Sequence, residues 1–205
     1  MCGLAREAAA IVIRKGSPGL LCDMTWLLSL RTFKDNPSVI RFLVEQACLS
    51  TISRTSFHQG GGIDWQPFPA TMFQNDLIQA IPGGDCEIFF IPENPFFKDI
   101  DTLYLKVAKE TVLVVPIQIT VAKTHKDLEA AFYSRWSNWQ EHFRGYKVET
   151  TFVWVVENKQ SWAVMEEELK MTRSQSKLIS PEYEQIFVTV KDINNNLGLQ
   201  LADIR

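Results

Sequence analysis

The sequence predicts an α/β fold, with a mixed central sheet and helices on both of its faces. Three observations carry this. Helical and strand periodicities alternate in the order helix, three strands, helix, strand, helix, strand, helix. The links between the first three strands are short, as in a meander. The stretch "TVLVVPIQITVA" (111–122) is apolar on both sides, which marks a central strand covered twice.

Taken in order, residues 1–35 have no clear pattern and read as an appendage or the remnant of an upstream module, and "MTWLLSLRTF" fits a helix or a strand. The α/β domain is assigned to residues 36–205. It opens with a helix in "DNPSVIRFLVEQACLSTISR": Asn36 can cap, Pro37 suits the first turn, and Ile40, Leu43, Val44 and Ala47 keep helical spacing. Residues 55–85 carry glycine and proline punctuation and predict loop with short elements. The triple glycine at 60–62 lacks the Lys-Ser/Thr that follows in a phosphate-binding loop, so it reads as a flexible connection.

"CEIFFIP" (86–92), "DIDTLYLKV" (99–107) and 111–122 are the first three strands. Pro116 removes a ladder donor, so the third is expected to bulge there or to pair on one side only. "HKDLEAAFYSRWSNWQEHF" (125–143) predicts one helix, with Leu128, Phe132, Trp136, Trp139 and Phe143 on its apolar face. "KVETTFVWVV" (147–156) is the fourth strand, "SWAVMEEELK" a helix, "YEQIFVTV" the fifth strand and "NNLGLQLADI" a terminal helix.

Composition narrows the function classes. With 46% apolar and 11% aromatic residues, the 205-residue chain can bury a sizeable core. Lysine and arginine total 21 against 24 aspartates and glutamates, a net charge of −3, which does not announce a nucleic-acid binder but leaves room for a local basic patch. Cys2, Cys22, Cys48 and Cys86 lie at no metal-ligand spacing and read as buried free thiols, in keeping with a reducing compartment. The N-terminus is a poor signal peptide, and no run of about 18 apolar residues offers a membrane span. The sequence therefore reads as intracellular, and it is equally compatible with a fragment of a longer product.

Within the central strand, Gln118 and Thr120 share a face because they are two residues apart. Asp101 precedes "TLYL", and a hairpin would lay the start of one strand beside the end of the next. A carboxylate, an amide oxygen and a hydroxyl would then converge, and Glu45 on the first helix could add a second carboxylate. Hard oxygen donors of this kind suit Mg²⁺, which can position water and stabilise charge on a phosphodiester. The same residues also fit a plainer account, with a turn-capping aspartate and a satisfied buried amide. His125 and Lys126 open the long helix, where helix N-termini attract anions. With Lys123, Arg135, Arg144 and Lys147 they form a cationic zone, diluted by Glu129 and Glu141. A solvated face is the ordinary meaning of such a zone, and core packing the ordinary meaning of Trp136 and Trp139, although tryptophans can stack bases.

The order helix-β-β-β-helix-β, with "FKDIDTLYL" and "VLVVPIQITVAKTHK", resembles the restriction-endonuclease-like domain of Crinkler effectors and retrotransposon hot spot proteins, a PD-(D/E)xK-type core. The resemblance covers roughly residues 37–195. It implies that Asp101 opens one core strand and that Gln118, Thr120 and His125 end the next, with Glu45 as the helical acid. Asp101, Gln118 and Glu45 would then hold Mg²⁺, with Asp101, Gln118, Thr120, Glu45 and Lys123 as the catalytic set and His125, Lys126 and Arg135 contacting nucleic acid. The chain departs from the superfamily in two places: glutamine replaces the second acid and threonine the lysine. Threonine cannot supply the cation that orients the attacking water, so Lys123 or Lys106 would have to substitute. The implied functions are metal-dependent cleavage of DNA, or a module that binds nucleic acid or a host protein without cutting; a structural fragment of a mobile-element gene is a third. In these families the domain often follows an ATPase module, and the implied location includes the nucleus of the producing or host cell.

Overall fold

The computed structural model describes residues 30–52, 57–59, 63–65, 70–73, 84–92, 99–121, 128–175 and 181–204. Helix α1 is Pro37–Ile52, and Asn36 caps it by accepting from the Val39 amide at 3.2 Å. Ile40, Leu43, Val44 and Ala47 are buried, as their spacing predicts, and Val39 is buried beside them. Leu30 is buried in the same core and Arg31 pairs with Asp203 at 2.8 Å, so the folded unit includes residues 30–35. A small antiparallel ribbon follows, β1 (Phe57–Gln59) with β2 (Ile63–Trp65).

The main sheet has six strands in chain order: β3 (Ala70–Phe73), β4 (Cys86–Pro92), β5 (Thr102–Ala108), β6 (Thr111–Thr120), β7 (Lys147–Val156) and β8 (Glu184–Thr189). All five strands predicted from sequence are present, and the mixed α/β class holds. β3 is an addition, parallel to β4. β4, β5 and β6 form the expected antiparallel meander, while β6, β7 and β8 run parallel. The parallel links are helical crossovers. Between β6 and β7 lie α2 (Leu128–Ser134) and α3 (Trp136–His142), and between β7 and β8 lies α4 (Lys159–Gln175). The chain closes with α5 (Val190–Ile193) and α6 (Asn195–Ile204).

Side-chain alternation divides the core between the two faces of the sheet. Val115, Ile117 and Ile119 of β6 join α1, α5 and α6 on one face. Val112 and Val114 join Phe132, Trp136, Trp139 and Phe143 of the α2–α3 region on the other. β6 is therefore covered twice, as its sequence predicts. Pro116 is accommodated without a bulge on the β7 side. Val114 pairs with Thr150 and Ile117 with Val153, offsets of 150 − 114 = 36 and 153 − 117 = 36, and pairing lapses between them. On the β5 side Pro116 still faces Leu103.

The single helix expected over 125–143 is broken at Arg135, whose φ of −105° and ψ of 16° interrupt the α-helical path. The break lets both halves turn aromatic side chains inward, with Phe132 and Trp139 centroids 5.4 Å apart. Trp139 is fully buried and Trp136 nearly so, which assigns both to the core and removes them as base-stacking platforms. Among the described residues no helix is long and apolar enough to cross a membrane.

Candidate functional site

The end of the β5–β6 pair decides where Asp101 goes. Thr102 is the register partner of Ile117, yet the Asp101 amide also donates to the Ile117 carbonyl at 3.0 Å. Two successive residues thus oppose one, the arrangement of a bulge, which commonly re-aims a side chain where pairing stops. Past this point β6 continues through Gln118, Ile119 and Thr120, still paired with Trp154, Val155 and Val156 of β7. On its other edge β5 has ended.

The Asp101 carboxylate occupies that vacated edge. Its Oδ2 accepts from the Ile119 backbone amide at 2.6 Å and from Gln118 Nε2 at 2.5 Å. The acid of one strand meets the amide of the next, as the sequence expects, but through the amide nitrogen and not the expected amide oxygen. The amide's orientation follows from chemistry: an ionised carboxylate only accepts, so the NH₂ group must face it. That leaves Gln118 Oε1 buried with no hydrogen-bond partner. Thr120 is buried on the same side of β6 as Gln118, beside Val156.

Glu45 arrives from α1, which packs on the Ile117 and Ile119 side of the sheet, whereas alternation directs Gln118 to the other side. Glu45 is half-buried, and its Oε1 accepts from Gln46 Nε2 at 2.9 Å. Glu45 and Asp101 nonetheless share a neighbour. The Cys48 thiol is pushed far above its ordinary range, first by complete burial, then by the charges of Asp101 and Glu45. Cys48 is thus the buried free thiol the sequence predicts, and an inert one.

The cations fall elsewhere. Lys106 sits opposite Glu87 on β4 and pairs with it at 3.0 Å. Four strand residues lie between it and Asp101, about 16 Å of extended chain, and its register partner on β6 is Leu113, at the opposite end from Thr120, so Lys106 does not substitute for the missing lysine at Thr120. Arg135 turns inward at the α2–α3 break and forms an ion pair with buried Asp99. Its guanidinium is thus shared with an internal acid while remaining partly exposed. Lys123, His125 and Lys126 lie outside the described residues.

Two buried acids escaped the sequence reading. Asp99 is one. Glu129, which in the sequence reads as an acid diluting a cationic zone, is the other. It is buried and accepts from Trp154 Nε1 at 3.2 Å and from Gln185 Nε2. A signal for it existed. Glu129, Phe132, Tyr133 and Trp136 are spaced by three, four and seven, which places the glutamate on the inward stripe.

As arranged, the donor set does not fit Mg²⁺. The shared point between Asp101 and Gln118 is filled by two N–H donors on one carboxylate oxygen, and the amide oxygen faces elsewhere. Among the described residues no three acidic, histidine or cysteine side chains group to hold a metal. What the arrangement does chemically is close a strand edge. No family model, no curated protein and no solved structure matches this chain.

Proposed function

We propose that this chain is a nuclease-fold module of the Crinkler and retrotransposon hot spot type that keeps the sheet and binds DNA without cutting it. The observation that carries this reading is the 2.5 Å hydrogen bond from Gln118 to Asp101. An acid at the opening of one core strand and an amide at the close of the next meet, at the positions the resemblance assigns, inside a helix-β-β-β-helix-β order. Three features favour binding over cleavage. A neutral amide stands in place of the second acid, buried Thr120 stands in place of the lysine, and Lys106 is paired at the far end of its strand. DNA contact falls to the segment carrying Lys123, His125 and Lys126, and the affinity would rest on phosphate contacts. In a longer product the module would follow an ATPase domain and act in the nucleus.

The test joins fluorescence anisotropy of a labelled DNA duplex in EDTA, over a series of salt concentrations, with plasmid nicking in Mg²⁺ or Mn²⁺. Binding that weakens steeply with salt, together with intact plasmid, supports the reading. Nicking that Asp101→Ala abolishes would establish a divergent metal-dependent endonuclease instead. Neither binding nor nicking would reject DNA as the target and leave a host protein as the partner.

A further inference from the structure

We infer that Asp101 is an edge cap of the sheet and not a divalent-cation ligand. The inference takes from the proposed function only the position a metal would have held, and it stands or falls apart from DNA binding.

The reasoning begins with an unpaired edge. β6 is longer than its neighbour: β5 stops at Thr102 opposite Ile117, while β6 runs on to Thr120. The Ile119 amide on that edge has lost the strand that would accept from it, and a buried amide without an acceptor is destabilising. Asp101 repairs this with its side chain. Its backbone amide takes the Ile117 carbonyl and its Oδ2 takes the Ile119 amide, so one residue satisfies successive groups of the β6 edge. The carboxylate stands in for a strand carbonyl.

Gln118 completes the cap. Its Nε2 supplies a second donor to the same oxygen, and both side chains are buried. Bonds to an ionised acceptor are the stronger class, and two N–H donors partly neutralise a carboxylate that burial would otherwise penalise. Glutamate at 118 would instead set a second acid against the first, and only a cation could reconcile them. Glutamine is thus the residue that lets the acid remain buried with no ion present. The orphaned Gln118 Oε1 is the remaining cost of turning the NH₂ group towards Asp101.

The test is thermal unfolding of the full chain in EDTA and in millimolar Mn²⁺, with calorimetric titration of Mn²⁺ into the wild type. The expected result is no heat of binding and a wild-type Tm that is the same in both solutions. Asp101→Ala should lower Tm by about 4–8 °C in both solutions alike, and Asp101→Asn, which keeps an acceptor for Ile119, by less. Gln118→Glu should melt lower in EDTA and recover in Mn²⁺, because binding to the folded state alone raises stability. Wild-type Mn²⁺ binding that Asp101→Asn removes would overturn the inference, as would an Asp101→Ala chain as stable as wild type. If Asp101→Ala fails to fold, the wild-type titration and the Asp101→Asn and Gln118→Glu melts still decide it. DNA binding in EDTA is a separate readout, so the two proposals fail separately.

Discussion

Arg135 and Asp99 form an ion pair across the break between α2 and α3, tying the crossover helices to the start of β5. The acid is buried and the guanidinium only partly exposed, so the two partners are not equivalent. Removing the arginine strands a carboxylate inside the protein, whereas removing both charges strands nothing.

Arg135→Ala is therefore expected to destabilise the fold by about 3 kcal/mol, the lower part of the range for breaking a buried pair, since Arg135 keeps a wet flank. Asp99→Asn in the same chain should return much of that loss. Urea unfolding of both single variants and the double variant gives the coupling energy directly, and simple additivity would show that the pair is not linked.

Glu129 ties three elements together, receiving donors from β7 and β8 on the first turn of α2. Glu129→Ala takes the acceptor from the buried Trp154 indole N–H and from the half-buried Gln185 amide, at a cost of about 2–4 kcal/mol. Glu129→Gln keeps one carbonyl oxygen and should lose less. Urea unfolding followed by tryptophan fluorescence reads both variants, and equal losses would mean that packing, not the acceptor, is what the site requires.

The Cys48 thiol gives a pH signature. Burial, with Asp101 and Glu45 beside it, pushes its pKa up in the folded chain, while the unfolded thiol ionises at about 8.5. The folded state then holds a proton that the unfolded state releases. The contribution is intact below the unfolded value and is lost as pH rises above it. Stability should fall on the alkaline side, and less steeply in Cys48→Ala. In the native chain Cys86, which is only partly buried, should alkylate before Cys48, as peptide mass spectrometry would report.

α6 crosses α5 at a point where no side chain fits. A Cβ built on Gly198 would lie 2.6 Å from Lys191 Cβ and 2.7 Å from Lys191 Cα. The second atom is backbone and cannot swing aside. Gly198→Ala is expected to destabilise by about 1–3 kcal/mol through overpacking, despite alanine's better helix propensity. An unchanged thermal midpoint would refute the close crossing.

Much of this is legible in the amino-acid sequence. β7 spans Lys147–Val156 and α6 Asn195–Ile204, matching the predicted limits, because apolar runs and helical spacing there agree with the tertiary burial. The meeting of Asp101 and Gln118 followed from a separation of 17 residues across a hairpin. What failed to show was set by distant partners. The break at Arg135 goes with Asp99, 36 residues earlier (135 − 99 = 36), and no local pattern contains it. β3 is four residues in a stretch punctuated by glycine and proline, and its strand character comes from β4 alongside. Buried acids are hidden for the same reason: charge normally signals surface, and only an inward stripe such as that of Glu129 contradicts it.

The lapse in pairing around Pro116 has a consequence for assembly. β6 is the seam between two kinds of sheet. Its β5 side closes through a tight reversal at Lys109, whose φ of 53° completes the turn, so that half draws on neighbours close in the chain. Its β7 side waits for a helical excursion to return, and local closure is the faster event. The meander is therefore expected to form first and to template β7 and β8, with the proline loosening only the later join.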